Sequence, residues 1–286
     1  MSELPKETVH RTYIVHGAMP RMVTPDLAWV GGCASSGGYP TGNIGGEARQ
    51  ISHDPCVAYV IMGSQKTIMV DPGHFGLWYS ADGQLDAVLK GRQLDYVYVS
   101  HQEIPHTGNL GRLLQKYPGA VALGDVRDYH LFHPEVDLDR LQPMKHGDKV
   151  SLGDRDIVFL DAIWKDLSGT MYVYDTKLKL MYTPDIFGHI HYEHENVCST
   201  MLHEMPDDLA ESIMKRPGIG PIYGLKARDQ KLRAQAFRNM LKKYPVEIIT
   251  SGHCSPIMGP RLQPVIDRIL AVADSLPRGL DFSSIF

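Results

Sequence analysis

Short apolar runs bounded by Gly, Pro, Asp and Ser dominate the hydrophobic pattern of this chain, and only a few stretches have the period of an amphipathic helix. Such runs predict β-strands, which fall in two blocks. The first block has strands at residues 57–62, 66–70, 94–99 and 120–123, and the second has strands at 157–160, 170–174 and 178–182. The first two strands predict a hairpin, because only a short polar turn separates them.

Helices are predicted at 110–117, near 207–215 and at 229–244, and a last buried strand at 246–250. From 188 to 224 the pattern is irregular and rich in His, Met and Pro, which we interpret as a lid-like insertion. We find no repeat, linker or low-complexity tract, so the sequence predicts a single domain over residues 1–286. Strand blocks with interleaved helices indicate an α/β fold of two mixed sheets covered by helices.

Side chains that can bind metal follow several of these predicted strands. They are Asp71, His101, Glu103, His106, Asp185 and His253. Three of them lie in the segment V-S-H-Q-E-I-P-H-T-G-N-L at 99–110. Neutral imidazoles with carboxylate oxygens suit iron, manganese or zinc. Because strand ends that converge on one edge can form a pocket, the sequence predicts one site built from distant segments.

Composition narrows the classes of partner and the cellular compartment. The 286 residues carry a formal net charge of −4, which gives no electrostatic case for binding nucleic acid or an anionic membrane. The four cysteines are scattered without a C-x-x-C pair, which favours a reducing cytoplasm over a disulfide framework. We also see no signal-peptide core and no apolar run near the ~20 residues of a membrane span. We therefore expect a cytoplasmic protein with a small-molecule substrate.

An ordered series of motifs resembles a known family. The motifs are V-D-P-G-H at 70–74, H-Q-E-I-P-H-T-G-N-L at 101–110, K-H-G-D-K-V-S-L-G at 145–153, Y-T-P-D-I-F-G at 182–188 and I-T-S-G-H-C-S-P-I at 249–257. Together they resemble the metallo-β-lactamase fold, in the branch with an H-x-E-x-D-H loop that includes flavodiiron proteins. The resemblance covers about residues 25–260.

This resemblance implies an αβ/βα four-layer sandwich and a di-metal centre. The implied metal ligands are His101, Glu103, His106, Asp185 and His253, with Asp185 as the bridging carboxylate. Glu103 stands where zinc hydrolases have a histidine, which favours iron, with zinc or manganese as alternatives.

Two positions depart from the family pattern, one for each metal. Pro105 stands where the loop has its aspartate, and Ile163 aligns with an expected histidine. Each implied metal site therefore loses one ligand, and a centre without any metal stays an open alternative. Possible replacement ligands are His189, His191, His194, Asp161 and Asp166.

Three functions are compatible with this sequence. The first, which we expect, is metal-dependent hydrolysis of a small apolar or aromatic ester, lactone or aryl ether, with Asp185 and His253 as catalytic residues. The second is oxygen or nitric oxide chemistry at di-iron, although the sequence contains no recognisable flavodoxin domain, dinucleotide fingerprint or cysteine cluster. The third is a degenerate, metal-poor subunit that pairs with an intact homologue. A homo- or hetero-oligomer is expected, with the apolar tail at 280–286 as a candidate interface.

Overall fold

The computed structural model describes residues 13–14, 18–35, 52–165, 167–215 and 230–275. The strands in these ranges are β1 Tyr13–Ile14, β2 Arg21–Thr24, β3 Leu27–Ser35, β4 Ser52–Met62, β5 Thr67–Val70, β6 Tyr96–Val99, β7 Val121–Gly124, β8 Leu141–Pro143, β9 Lys149–Ser151, β10 Asp156–Asp161, β11 Met171–Asp175, β12 Leu180–Tyr182, β13 His191–Tyr192, β14 Ile248–Thr250 and β15 Ile257–Met258. The helices are α1 Trp78–Leu89, α2 Ile104–Thr107, α3 Leu110–Lys116, α4 Tyr129–Phe132, α5 Asp207–Met214, α6 Gln230–Lys243 and α7 Leu262–Ser275.

These strands form two mixed sheets. The first sheet has the order β1-β3-β4-β5-β6-β7-β8, with β2 also pairing with β3 and β13 with β4. The second has the order β15-β14-β12-β11-β10-β9. The strands β5, β6, β7 and β8 run parallel to one another, as do β12 and β14, and the other strand pairs are antiparallel. Parallel neighbours point their carboxyl ends to the same edge, which is where the site residues lie.

Three apolar layers separate the four structural layers. Between the sheets, Tyr59 and Ile61 of β4 meet Phe159 of β10 in one buried cluster. On the outer face of the first sheet, residues of α1 and α3 such as Leu85 and Leu113 cover β5–β7. On the outer face of the second sheet, residues of α5, α6 and α7 form a third buried cluster. This is the αβ/βα four-layer sandwich that the resemblance implies, so the fold prediction is confirmed.

Most predicted elements are present, but the long helices α1 and α7 were not predicted, and neither were the one-turn helices α2 and α4. α1 has Gly83 in its interior, and glycine lowers helix propensity by about 1 kcal/mol relative to alanine, so its pattern is weak. α7 has a proline in its first turn. Proline is tolerated at that position, but in a sequence it usually indicates that no helix is present, so α7 was missed. Both helices are held by packing of their apolar faces on a sheet rather than by propensity.

Among the described residues, we find no helix with the length and hydrophobicity needed to cross a lipid bilayer. Part of the predicted insertion at 188–224 and the whole tail at 280–286 lie outside the described residues. The described part, 188–215, contains β13, two short 3-10 turns and α5. The single-domain organisation and the lid role of the insertion stay predictions.

Candidate metal centre

Three strand ends and one short helix bring the predicted site residues together. His101 follows β6, and Asp185 and His253 follow the parallel pair β12 and β14. Two backbone hydrogen bonds join the loops after β12 and β14. Thr183 N–H donates to the Thr250 carbonyl at 2.8 Å, and Gly252 N–H donates to the Pro184 carbonyl at 2.9 Å. His106 enters from the first sheet on the short helix α2. The convergence predicted from the sequence is therefore present.

Asp185 lies at the centre of this group, and its two oxygens face different imidazoles. Oδ1 lies 3.2 Å from His106 Nε2 and 3.6 Å from His253 Nε2. Oδ2 lies 3.7 Å from His101 Nε2. A carboxylate whose oxygens face opposite ways between two nitrogen groups is suited to bridge two metal ions.

The most compact group consists of His106, His253 and Asp185. Their closest ligand atoms are 3.2 to 3.6 Å apart, with 3.3 Å between the two Nε2 atoms. Ligands about 2.1 Å from one metal and at right angles are about 3 Å apart, so only small shifts would bring these three atoms onto one ion. Two His and one carboxylate is the facial composition that holds non-heme iron. The donor set and its spacing fit iron.

The second group is looser and more open. His101 Nε2 lies 4.0 Å from Glu103 Oε2, and the Glu103 side chain is 45% exposed. Ile163, aligned with the missing histidine, packs against the apolar cluster on the outer face of the second sheet. Its backbone is held there as well, since Arg233 Nη1 donates to the Ile163 carbonyl at 3.0 Å.

The proposed replacement ligands do not join these groups. Among the described residues, neither His189, His194 nor Asp161 belongs to a set of side chains close enough to share a metal. His194 is exposed and stacks on the ring of Tyr192, and Asp161 is also exposed. His191 lies in a different cluster with two cysteines, and Asp166 is outside the described residues. The expectation of a replacement ligand is therefore unsupported for the four described residues.

Asp71 fixes the orientation of His106. This fully buried carboxylate accepts a hydrogen bond from His106 Nδ1 at 2.6 Å, so the other ring nitrogen, Nε2, is directed at Asp185. It also accepts from the Ser100 backbone N–H at 2.7 Å, from the Ser100 hydroxyl at 2.8 Å and from the Tyr182 hydroxyl. A carboxylate behind a metal-binding histidine selects its tautomer and fixes the ring. The sequence identified Asp71 as a turn residue but did not reveal this contact.

Close packing next to His253 requires glycine. A Cβ at Gly252 would lie 2.6 Å from His106 Cε1 and 3.1 Å from the Tyr182 hydroxyl. The S-G-H sequence thus lets the loop after β14 approach the buried imidazole of His106.

Electrostatics favour a charged His106–Asp185 pair when no metal is bound. Burial would raise the pKa of Asp185, but the imidazoles of His106, His101 and His253 lower it. Burial would lower the pKa of His106, but the Asp185 and Asp71 carboxylates raise it well above its usual value. A dication placed here would take over the role of these protons, because imidazole must be neutral to bind it.

Asp54 is a functional residue that sequence reasoning missed. It lies on β4, and its Oδ1 is 3.0 Å from His253 Nδ1, which directs Nε2 toward His106 and Asp185. The burial of His253 would lower its pKa, but Asp54 raises it. The only available signal was a carboxylate at a strand start, 199 residues from its partner, which no local pattern connects.

We expect Asp54→Asn to weaken metal binding at the His106–His253–Asp185 group by about tenfold, because loss of a carboxylate partner of a ligating histidine costs 10–100-fold and Asp54 is partly exposed. Competition with a chelator of known affinity measures this. Asp139→Asn, which changes an exposed carboxylate in the 3-10 turn Leu138–Arg140, is the matched control. Equal affinity of the two variants would remove Asp54 from the centre.

Sequence relatives are redox proteins. The chain is 28% identical over 142 residues to an anaerobic nitric oxide reductase flavorubredoxin of Aliivibrio salmonicida, covering 47% of this chain and 27% of the relative. It is 23% identical over 167 residues to a coenzyme F420H2 oxidase of Methanocaldococcus jannaschii, covering 55% of this chain and 38% of the relative. The chain thus spans well under half the length of these curated relatives.

The fold is similar to that of a solved flavo di-iron protein variant from Thermotoga maritima. The TM-score is 0.69 at 13% identity, over 92% of this chain and 62% of the other. At this identity the likeness bears on the fold alone. The expectation of a hydrolase is wrong, because the relatives carry the names of a nitric oxide reductase and an oxidase. The model of the ODP family beta lactamase matches residues 55–216, more than half of the chain. The protein belongs to this family.

Proposed function

We propose that this chain binds iron and is a redox domain that reacts with oxygen or nitric oxide, using electrons from a donor. His106, His253 and Asp185 would hold the first iron, and His101, Glu103 and the second oxygen of Asp185 a weaker one. The observation that carries the proposal is the position of Asp185, whose oxygens face His106 and His253 on one side and His101 on the other. The names of the sequence relatives support the reaction class.

Iron in such a site supplies open coordination positions for a small diatomic molecule and a change of oxidation state. The chain's own residues supply order and shielding. Asp71 and Asp54 hold the distal nitrogens of His106 and His253, so both rings present Nε2 to the same point. His101 and His106 are almost completely buried, whereas Glu103 is exposed, so small molecules and water would approach from the Glu103 side.

The two departures from the family pattern predict unequal metal positions. The first group keeps three closely spaced ligand atoms despite Pro105. The second has a wider spacing, and the Ile163 segment is held against the outer apolar cluster. We therefore propose one firmly bound iron and a second that dissociates more easily. The wider spacing of its ligand atoms and the exposure of Glu103 would leave the second position more open to exchange.

Anaerobic loading with ferrous iron tests this proposal. We expect at least one iron per chain by elemental analysis after desalting, a changed electron paramagnetic resonance spectrum on addition of nitric oxide, and consumption of nitric oxide or oxygen with dithionite as donor. Asp185→Asn should lose the iron and the gas consumption, because a neutral amide bridges two cations poorly. Asp161→Asn, an exposed strand-end aspartate outside the group, is the matched control.

Absence of iron after loading would contradict the proposal. The same loading of the chain co-expressed with a homologue separates two causes of such a result. If the chain took up no iron in either form, the degenerate-subunit alternative would replace the redox function. If iron bound but neither gas was consumed or changed the spectrum, the metal site would stand and the reaction class would fall.

A further inference from the structure

A second cluster of metal-binding side chains lies away from the Asp185 centre. We define the Cys33 cluster as Cys33, His53, His191 and Cys198. The first three occupy adjacent strands, with Cys33 on β3, His53 on β4 and His191 on β13. His191 is directly opposite His53, and Cys33 is opposite Pro55, two residues from His53. Since side chains alternate along a strand, this register places all three on the same face of the sheet.

Cys198 completes the cluster from a different element. It follows the 3-10 turn Glu193–Glu195, which reverses the chain after β13. Its Sγ lies 3.0 Å from His191 Nε2 and 3.1 Å from His53 Nδ1. Cys33 Sγ lies 3.9 Å from His191 Nε2. Four side chains from four segments therefore direct sulfur and nitrogen atoms at one another.

These distances are those of a metal site. Around tetrahedral zinc, bonds of about 2.3 Å to sulfur and 2.0–2.1 Å to nitrogen put sulfur and nitrogen about 3.6 Å apart. The three printed sulfur–nitrogen contacts range from 3.0 to 3.9 Å and so bracket this value. Cys33, His191 and Cys198 have ligand atoms that all lie within 4.8 Å of one another. His53 is outside that set, but its Nδ1 contacts Cys198 and its ring lies edge-on to the His191 ring at 5.3 Å, which makes it the candidate fourth ligand.

The cluster is also a polar group in an apolar interior. Cys33, His53, His191 and Cys198 are each no more than 6% exposed. Burying polar groups costs free energy unless they have good hydrogen-bond partners, and hydrogen bonds between a thiol and an imidazole are weak. A bound cation would compensate for this burial.

We propose that Cys33, Cys198, His191 and His53 bind one zinc ion. Two sulfurs and two imidazole nitrogens form the Cys2His2 set of structural zinc sites, and the burial leaves little room for a catalytic water. Zinc would bind both sulfurs as thiolates, so the two thiols would release two protons and the two imidazoles would bind as neutral rings. Soft thiolate ligands distinguish this site from the oxygen- and nitrogen-rich centre at Asp185.

The location suggests what the ion would do. It would hold the loop around Cys198 against β3, β4 and β13, and this loop belongs to the segment that follows Asp185. On β4, His53 is followed by Asp54, which holds His253 from the opposite face of the strand. Zinc would thus stabilise the segment that positions two iron ligands without binding at the iron site. This zinc site does not depend on the proposed redox function.

Metal substitution in the full chain tests the proposal. Co2+ replaces zinc in such sites and gives thiolate-to-metal charge-transfer absorption in the near ultraviolet, which nitrogen and carboxylate ligands at the Asp185 centre cannot give. We expect this band and about one zinc per chain by elemental analysis. Cys33→Ser and Cys198→Ser should each lose the band and weaken zinc at least tenfold. His53→Ala should weaken zinc but keep a charge-transfer band from the two thiolates.

Cys56→Ala is the matched control, because this buried cysteine on β4 packs with Ala34 and Leu77 instead. It should keep the band and the zinc. A wild-type chain without thiolate–Co2+ absorption would overturn the proposal even if the cysteine variants failed to fold. A disulfide between Cys33 and Cys198 in the freshly purified chain, detected by mass spectrometry without reductant, would overturn it too. Undiminished zinc in both serine variants would assign the ion to the Asp185 centre.

Discussion

Replacing Asp71 by alanine is expected to destabilise the fold by about 3–5 kcal/mol, the usual cost of breaking a buried charged pair. The carboxylate is fully buried and accepts from His106 Nδ1, from the Ser100 backbone and hydroxyl, and from the Tyr182 hydroxyl. Alanine would deprive His106 Nδ1, the Ser100 backbone N–H and the Tyr182 hydroxyl of this buried acceptor. The variant should also lose metal, because His106 would no longer be held toward Asp185.

Backbone conformation adds to this cost and suggests the control. Asp71 has a φ of +54°, in the left-handed region that alanine adopts reluctantly. Asparagine tolerates this region and has nearly the same shape, so Asp71→Asn isolates the loss of charge and of one acceptor. We expect Asp71→Asn to cost roughly half as much as Asp71→Ala, since it keeps the backbone and one acceptor oxygen.

Urea denaturation of the two variants and the wild-type chain, each stripped of metal, measures the free energy of unfolding. Iron binding is then measured by chelator competition without urea, at a temperature where each variant is folded. Asp71→Ala with stability within 1 kcal/mol of the wild-type chain would contradict the role of Asp71 as a buried anchor. Normal iron affinity in a folded Asp71→Asn would contradict its role in orienting His106.

The sequence predicts the parts of the site that belong to strand ends. His101, Asp185 and His253 each follow a short apolar run, and such runs are readable because a buried strand has almost no polar residue. Their convergence follows from the parallel pairing of the strands, so it could be expected once the fold was inferred. The resemblance added the identity of the ligands, and the geometry places His101, His106 and His253 around Asp185, with Glu103 beside His101.

Contacts between distant residues could not be predicted in this way. Asp54 and His253 are joined only because β4 passes under the loop after β14. Cys33 and Cys198 come together through the register of β3, β4 and β13, and no C-x-x-C pair in the sequence marks them. Spacing along a chain detects ligands within one loop, whereas a site assembled from four segments is visible only after the register is known.

The hydrolase expectation failed because ligand chemistry alone cannot choose the reaction. A metal held by imidazoles and carboxylates supports both hydrolysis and redox chemistry, and the outcome depends on the metal and on the electron supply. Glu103 favours iron from the sequence alone, and iron can change its oxidation state, which favours redox chemistry over hydrolysis. The relatives, named as a nitric oxide reductase and an oxidase, support a redox reaction.

Pro105→Asp is expected to tighten iron binding at the His106–His253–Asp185 group about a hundredfold, because a direct carboxylate ligand should exceed the 10–100-fold effect of an indirect partner. Pro105 lies in the first turn of α2, next to His106. An aspartate is well tolerated in the first turn of a helix, where negative charge interacts favourably with the backbone N–H groups. Half-burial of Pro105 leaves space for a side chain of similar size.

Pro105→Asn is the matched control, since it removes the same ring and adds a side chain of the same shape without charge. Chelator competition under anaerobic conditions should give tighter iron for the aspartate variant alone. An equal gain in both variants would assign the effect to the freed backbone, because proline fixes φ and lacks an N–H. No gain in either variant would mean that the side chain at 105 does not reach the metal. In that case the first iron would be held by His106, His253 and Asp185 alone. Position 105 would then not be a ligand position in this protein.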